Sequence, residues 1–432
     1  MFTSDDTKVC IIGVGFVGFT TAMALCSKGL RVVGVDTSEK VVSKLSNNEL
    51  TLSEPGISDL LRTSLIQRMF QIFHSGSEPP SLESAARACT VFVITVGTPL
   101  LNGKINLEHF RAAIHEVQKY LKDNDLVIVR STVSLGTTRR EFTKILGEQK
   151  LSKIHLSFCP ERTMEGNALT EFFALPQIIG GIDIASADKS LAFFKSLGIE
   201  CVVVSSLEAA ELTKLVNNTY RDLMFGFSNE IAELSSFFGL SASEVIDAAN
   251  HNYPRSNIAK PGPSGGPCLE KDPWILVESG SSVGLNMAIS RASREVNERA
   301  VVDFLNRELS DIGPVSKVSI IGISFKSTPE TIDTRGSFIY PVIDLIRDIS
   351  PHCEIACYEP SGFVGFNYKD VVEFSEISSA IKDTEVVILL NKHQELFFLQ
   401  NEAGHLSGKK IIIDLWGQLK MPSDDLRYRS WA

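Results

Sequence analysis

Three glycines, Gly13, Gly15 and Gly18, separate a short apolar run, Lys8–Gly13, from a helical stretch, Phe19–Lys28. Gly29 stops that helix, and a second apolar run, Arg31–Val35, ends at Asp36. A chain that reads strand, glycine turn, helix, strand has few folds open to it. Buried parallel strands are continuous β-branched runs, and two of them joined through a helix form a crossover unit. The glycines have separate uses: Gly13 allows the tight turn, Gly15 lets the backbone meet a pyrophosphate, and Gly18 lets the helix lie close on the strand. Asp36 lies 18 residues beyond Gly18, where a carboxylate bonds a ribose 2′-hydroxyl and favours NAD over NADP.

Further apolar runs follow at Thr90–Val96, Leu126–Ser131, Gln177–Gly180 and Cys201–Val204, with helical patterns between them. This alternation predicts an open, doubly wound sheet over roughly the first 200 residues. From Ser206 to Phe238 the pattern becomes one long helix, interrupted only by Gly226. Glu211, Lys214, Asn218 and Arg221 recur on one stripe of it, opposite Leu212, Leu215, Val216, Leu223 and Phe227. A second helix is expected over Val283–Leu309, and strand–helix alternation restarts near Val315 with Lys317–Ile323, Glu354–Tyr358, Glu385–Leu390 and Lys410–Asp414. The expected fold class is α/β: two Rossmann-like doubly wound domains, residues 1–205 and 310–432, joined by a helical region, 206–309. The second α/β domain opens with Ile321-Gly322-Ile323-Ser324-Phe325-Lys326, which lacks the glycine triplet.

Composition narrows the partners. The 432 residues carry a net charge of −10, which argues against a non-specific nucleic-acid binder. No apolar run reaches the length of a membrane span and no secretory signal precedes the first strand, so a soluble, cytoplasmic chain is expected. The eight cysteines are scattered, with no CxxC and no His-Cys cluster, which suits a reducing compartment. Cys353 and Cys357 read as strand packing, and the eight histidines form no ligand pair, so no metal is assigned.

The second informative segment is Pro261-Gly-Pro-Ser-Gly-Gly-Pro-Cys268-Leu-Glu-Lys271-Asp272. A thiolate can add to an aldehyde and hold it covalently, and a nearby cation favours the thiolate. The plainer reading is a turn carrying an inert cysteine. Val96-Gly97-Thr98-Pro99 and Arg130-Ser131-Thr132 follow strands whose carboxyl ends face the ligand crevice of such sheets, though Thr and Gly also serve ordinary turns. Cys159-Pro160-Glu161-Arg162-Thr163-Met164-Glu165 sets two acids and a base in one short segment, equally compatible with an exposed loop. The polar stripe of the long helix fits a solvated face as well as a site.

Together these segments resemble the UDP-glucose/GDP-mannose dehydrogenase family. The likeness runs through Gly13–Gly18, Glu54-Pro55-Gly56, Val96–Pro99, Ser131-Thr132, Pro160-Glu161-Arg162 and Ala210-Glu211-Leu212. It continues through Gly265-Gly266-Pro267-Cys268 and Lys271-Asp272 to Phe325-Lys326 and Asp333-Thr334-Arg335. The resemblance implies NAD-dependent oxidation of a nucleotide sugar at C6 to the uronate, through a thiohemiacetal and a thioester on Cys268. It implies oxyanion roles for Lys214 and Asn218, and proton transfer by Asp272. Glu161 would act in hydrolysis, and Thr132 would help to hold the water. Gly13, Gly15, Val17, Gly18, Asp36, Thr98, Thr132, Glu165 and Lys271 would serve the cofactor. Arg162, Lys214, Asn218, Arg221, Arg255, Gly265, Gly266, Lys326 and Arg335 would serve the UDP-sugar. Arg335 would act across the interface of a homodimer built on the long helix.

Glu161-Arg162 after Pro160, Asn218-Thr219-Tyr220-Arg221 and Tyr253-Pro254-Arg255 resemble the branch that oxidises UDP-N-acetylhexosamines such as UDP-N-acetylmannosamine. Lys271 resembles the UDP-glucose branch and keeps that sugar as the alternative. A non-catalytic nucleotide-sugar-binding relative has no need of Cys268, and a two-electron dehydrogenase needs neither Cys268 nor a second α/β domain.

Overall fold

The computed structural model describes residues 7–50, 54–77, 81–393, 396, 410–419 and 428–431. The chain forms two compact units, Met1–Asn217 with Glu278–Leu285 and Asn218–Val277 with Asn286–Ala432. Among the described residues no helix is long and apolar enough to cross a membrane.

The first unit is built on a sheet of β1 (Lys8–Ile12), β2 (Arg31–Asp36), β3 (Phe70–His74), β4 (Val91–Ile94), β7 (Leu126–Val129), β8 (His155–Phe158), β9 (Gln177–Gly181) and β10 (Cys201–Val204). A two-stranded hairpin, β5 (Leu100–Leu101) with β6 (Lys104–Ile105), follows β4. The order across the sheet is β10-β9-β8-β7-β4-β1-β2-β3. Strand alternation sends Val9, Ile11, Val91, Val93, Leu126 and Ile128 into one layer, which packs on Phe19 and Met23. Cys10, Ile12, Phe92, Ile94, Val127 and Val129 enter the other, which packs on Phe110 and Phe142.

One departure from an all-parallel sheet positions chemistry. β8 is parallel to β7 but antiparallel to β9, with Phe158 opposite Gly180. β8 therefore ends, and β9 begins, at the carboxyl edge of the parallel strands. The connecting segment 159–176, which carries Glu161, Arg162 and Glu165, stays along that edge, where ligands of such sheets bind.

The second unit carries a sheet of β11 (Lys317–Ile321), β12 (Glu354–Tyr358), β13 (Val372–Glu373), β14 (Val386–Leu389), β15 (Ile411–Asp414) and β16 (Tyr428–Ser430). Its order is β13-β12-β11-β14-β15-β16, and every pair is parallel. The glycine turn of the first unit recurs here. Gly13 N–H donates to Val35 O at 2.8 Å and Val14 N–H to Asp36 Oδ2 at 2.7 Å. Gly322 N–H donates to Tyr358 O at 2.9 Å and Ile323 N–H to Glu359 Oε2 at 2.8 Å. Gly13 and Gly322 both adopt positive φ, +89° and +82°, as this turn requires.

The long helix is Leu207–Phe237, and the boundary between the units falls within it. At Gly226 an added Cβ would lie 2.4 Å from Ser293 Oγ, so this glycine admits the helix Ala288–Ile312 to close contact. The expected helix over Val283–Leu309 is corrected at its start. The chain leaves the helix Asp272–Ser281, turns through Gly284 at φ +79°, and becomes helical again only at Ala288.

Candidate functional site

In the first unit the three strand ends β1, β4 and β7 are stitched together by hydroxyls. Thr95 Oγ1 donates to Gly13 O at 2.6 Å, Ser131 Oγ to Val96 O at 2.7 Å, and Thr98 Oγ1 to Thr132 O at 2.5 Å. Gly18 packs so tightly that a Cβ would lie 1.9 Å from Gly13 O, whereas nothing lies within 4 Å of a Cβ on Gly15. Gly15 is thus the open side of the turn, with Val17 half-buried behind it. A cavity of about 380 Å³ lies beside them, lined by Gly13, Gly15, Asp36, Thr37, Gly97 and His109 among others. Open backbone at Gly15 and a carboxylate at Asp36 fit a dinucleotide pyrophosphate and ribose. Asp36 is held in place by the N–H groups of Val14 and Ser38, the latter at 2.9 Å from Oδ1.

Along the carboxyl edge Glu161 is buried but not alone. Its Oε1 accepts the N–H groups of Arg162 and Thr163, both at 2.8 Å, and its Oε2 pairs with the buried Arg130 guanidinium. Arg130 also donates to Gln177 Oε1 at 2.8 Å. Burial opposes the charge on Glu161, but Arg130, the Thr163 N–H and the charge of Lys214 outweigh it and hold the carboxyl below its usual range. Glu161 is therefore an ionised acceptor. Arg162 donates to Pro176 O and Glu165 is half-buried in the same segment. Glu54 fixes that segment from outside, accepting Gly166 N–H at 2.7 Å and Ala168 N–H.

The long helix departs from the ordinary amphipathic rule at several positions, though Leu215 is buried as the rule expects. Glu211, Lys214 and Asn218 are buried, while Leu212, Val216, Tyr220, Phe227 and Leu234 are exposed, Tyr220 to 60%. The plain reading of the polar stripe as a solvated face thus fails for these three, although Arg221 is exposed. Glu211 caps the helix Thr137–Leu146 by accepting Gly136 N–H at 2.6 Å and Thr138 N–H at 2.9 Å. Lys214, only 7% exposed, makes no hydrogen bond or ion pair with the described residues.

The second unit holds the thiol. Cys268 is exposed, Cys201 half-buried, and the other six cysteines are buried. Burial pushes Cys26, Cys159 and Cys357 up to about 12, which makes them inert. Cys268 O accepts Asp272 N–H at 2.9 Å where the chain enters the helix Asp272–Ser281. Asp272 is fully buried: its Oδ2 accepts the Asn218 side-chain amide at 2.6 Å and its Oδ1 pairs with Lys271 Nζ at 2.7 Å.

Gly265 and Gly266 have packing partners. A Cβ on Gly265 would lie 2.2 Å from Gly336 O, one on Gly266 would lie 2.4 Å from the Phe325 ring, and Gly266 N–H donates to Gly336 O at 2.8 Å. These contacts bring the neighbours of Lys326 and Arg335 onto the thiol loop. Arg335 is exposed and clasped by Asp333, with Nε 2.8 and 3.0 Å from its two carboxylate oxygens. Arg255 is exposed and stacks on Tyr253, 4.6 Å from the ring centre. Neither Arg221 nor Arg255 hydrogen-bonds to this loop among the described residues.

Sequence reasoning missed a buried cluster behind the thiol: Asp222, Asn229, Arg294 and Asn297. Burial pushes Asp222 up to about 6, against the pull of Arg294 and Asn297.

Comparison with known proteins adds to this geometry. A model of the NAD-binding domain of the UDP-glucose/GDP-mannose dehydrogenase family matches residues 7–197, and one of that family's central domain matches residues 208–299. A UDP-N-acetyl-D-mannosamine dehydrogenase of Methanococcus vannielii is 30% identical over 421 residues, covering 94% of this chain and 92% of that protein. The structure of a UDP-D-ManNAc dehydrogenase from Pyrococcus horikoshii superimposes with a TM-score of 0.84 at 26% identity, covering 98% of this chain and 99% of that one. A UDP-glucose dehydrogenase from Pyrobaculum islandicum gives 0.83 at 25% identity, covering 100% and 99%.

Proposed function

The chain belongs to the UDP-glucose/GDP-mannose dehydrogenase family and is an NAD-dependent nucleotide-sugar dehydrogenase, and on that footing we propose a four-electron oxidation of a UDP-N-acetylhexosamine at C6. UDP-N-acetyl-D-mannosamine is the first candidate, supported by the name and full-length similarity of the Methanococcus relative. The observation that carries the covalent part is the exposure of Cys268 beside the ordered Asn218–Asp272–Lys271 chain.

Gly13, Gly15, Gly18, Asp36 and Thr98 hold NAD in this reading, which supplies the acceptor for the hydride lost at each of two oxidations. Cys268 adds to the aldehyde carbon, forming a C–S bond and an oxyanion. Lys214, buried and making no hydrogen bond or ion pair with the described residues, and Asn218 are donors suited to that charge. The second oxidation leaves a thioester; water adds to it, the C–S bond breaks and the thiol returns. Asp272 moves the proton of that water, while Glu161 and Thr132 orient it. Glu161 accepts a hydrogen bond in this role and is a weak base, because Arg130 lowers the proton affinity of its carboxylate. Glu165 and Lys271 complete the cofactor side. Arg162, Arg221, Arg255, Lys326 and Arg335 are the candidate sugar-nucleotide contacts.

The exposed apolar stripe along the long helix supports a homodimer, with Arg335 acting across its interface. The functional division at residues 205 and 309, and a cytoplasmic location, belong to the same proposal. A second reading takes UDP-glucose as substrate, because Lys271 resembles the UDP-glucose branch of the family.

NADH counted per sugar consumed, over a panel of UDP- and GDP-sugars, tests the proposal. Two NADH with UDP-N-acetyl-D-mannosamine are expected; one per sugar would overturn the four-electron reading, and none with it but two with UDP-glucose would overturn the choice of sugar. Cys268→Ser should abolish uronate formation and leave NAD affinity intact.

A further inference from the structure

A buried cation holds the loop that presents the thiol. Arg294, on the helix Ala288–Ile312, is 2% exposed. Its NH1 donates to Asp222 Oδ1 at 2.7 Å and to Leu269 O at 2.9 Å, and its NH2 donates to Ser264 O at 3.1 Å. Ser264 and Leu269 bracket Gly265–Cys268, so one planar group fixes both ends of the segment that ends in the thiol. Asp222, fully buried on the long helix, is the counter-charge. Asn297 Nδ2 donates to Asp222 Oδ1 at 2.9 Å, and Asn297 Oδ1 accepts Asn229 Nδ2 at 2.9 Å. Asn229 in turn takes Gly262 at both its N–H, 2.9 Å, and its carbonyl, 3.1 Å. Two helices thus grip the loop at residues 262, 264 and 269.

Burying an ion pair is a poor way to gain stability, because desolvation cancels much of the attraction and apolar side chains of similar volume often do as well. What the pair supplies is direction: a guanidinium fork donates to several acceptors in one fixed plane, which an ammonium cannot reproduce. We propose that Arg294, with Asp222 as its counter-charge, is a positioning residue that sets where the Cys268 sulfur sits. The catalytic consequence rests on Cys268 being the nucleophile; the geometric claim does not.

The test is Arg294→Met combined with Asp222→Leu, which removes both charges together, and Arg294→Lys as a second variant that keeps the charge. Three quantities are read on the full chain: kcat with KM for NAD and sugar, the rate of Cys268 alkylation by iodoacetamide followed by peptide mass spectrometry, and the thermal midpoint. The expected result in a folded variant is kcat lower by on the order of 10- to 100-fold with both KM values within about 3-fold. The Cys268 alkylation rate should change by at least about 5-fold in parallel. Unchanged alkylation overturns the proposal even if kcat falls, and so does changed alkylation with kcat intact. Should the double variant not fold, Arg294→Lys decides on the same readings. A Cys268→Ser control that still makes uronate would refute the covalent reading alone, since alkylation of Cys268 in the Arg294 variants still judges the placement of the thiol.

Discussion

The side-chain amide of Asn218 donates to Asp272 at 2.6 Å, tying the long helix to the residue four places beyond the thiol. With Lys271 on its other oxygen, Asp272 is fully buried, and both partners depend on its charge. Asp272→Asn should therefore lower kcat by on the order of 100-fold through lost proton transfer. Asp272→Ala should in addition cost about 1–3 kcal/mol of stability, because the Asn218 amide is left without its acceptor. Steady-state kinetics and urea unfolding check the two effects separately; an unchanged kcat in Asp272→Asn would remove Asp272 from the chemistry.

Asp36 has two duties, ordering the turn through Val14 and Ser38 and facing the dinucleotide cavity. Asp36→Asn keeps one of the two acceptors of the turn and loses the charged partner of a ribose hydroxyl. The expected outcome is an NAD KM raised roughly 10- to 100-fold, as the loss of a hydrogen bond to a charged group implies. Preference for NAD over NADP should weaken, while the sugar KM stays within about 3-fold. Titration of both cofactors against the variant measures this.

Two buried carboxyls make opposite contributions to the pH dependence of stability. Glu161 is lowered in the fold, so its contribution is present above its ordinary value of 4.5 and is lost as pH falls through the folded value. Asp222 is raised to about 6 from 3.8, so its contribution is complete below 3.8 and is lost as pH rises through 6. Denaturant unfolding at intervals from pH 3 to 7 should show the wild type losing ground against Asp222→Asn as pH rises from 4 to 6. The same comparison with Glu161→Gln should show the wild type losing ground as pH falls below 4.5.

The exposed stripe Leu212, Val216, Tyr220, Phe227 and Leu234 sits at four- and seven-residue spacing on one helix. If it closes a homodimer, Val216→Glu with Tyr220→Glu places charge in the centre of that contact. Sedimentation should then show association weakened in favour of monomer, with Kd raised by at least about 100-fold, since unpaired buried charge is costly. A wild-type chain that sediments as a monomer at micromolar concentration would refute the dimer.

The features that could be read from the sequence are those whose chemistry is local. Gly13 to Asp36 is one continuous crossover, and Cys268 to Asp272 is one turn into a helix. The stripe Glu211, Lys214 and Asn218 was legible as a stripe, but periodicity does not say which residues are buried; here these three are, because Glu211 caps another helix and Asn218 meets Asp272. The role of Gly265 and Gly266 depends on Gly336 and Phe325, residues whose proximity no local pattern reports. Arg294 and Asp222 stand 72 positions apart on helices of ordinary composition, so nothing local marks them as a pair. The reversal of β9 was hidden for the same reason, as strand direction is set by the path of 159–176 and not by the residues of the strand.

The repeated glycine turn ends differently in its two copies. Asp36 faces an open cavity, whereas Glu359 is enclosed, its oxygens taken by the N–H groups of Ile323, Ser324 and Ser361. Only the first copy turns a half-exposed carboxylate toward open space that a ribose could enter. On the four-electron reading, with one such berth among the described residues for two successive oxidants, the spent one departs while the half-converted sugar is moored to Cys268. The covalent bond then holds the sugar through the exchange, so every turnover includes an emptying and a refilling of the berth beside Asp36.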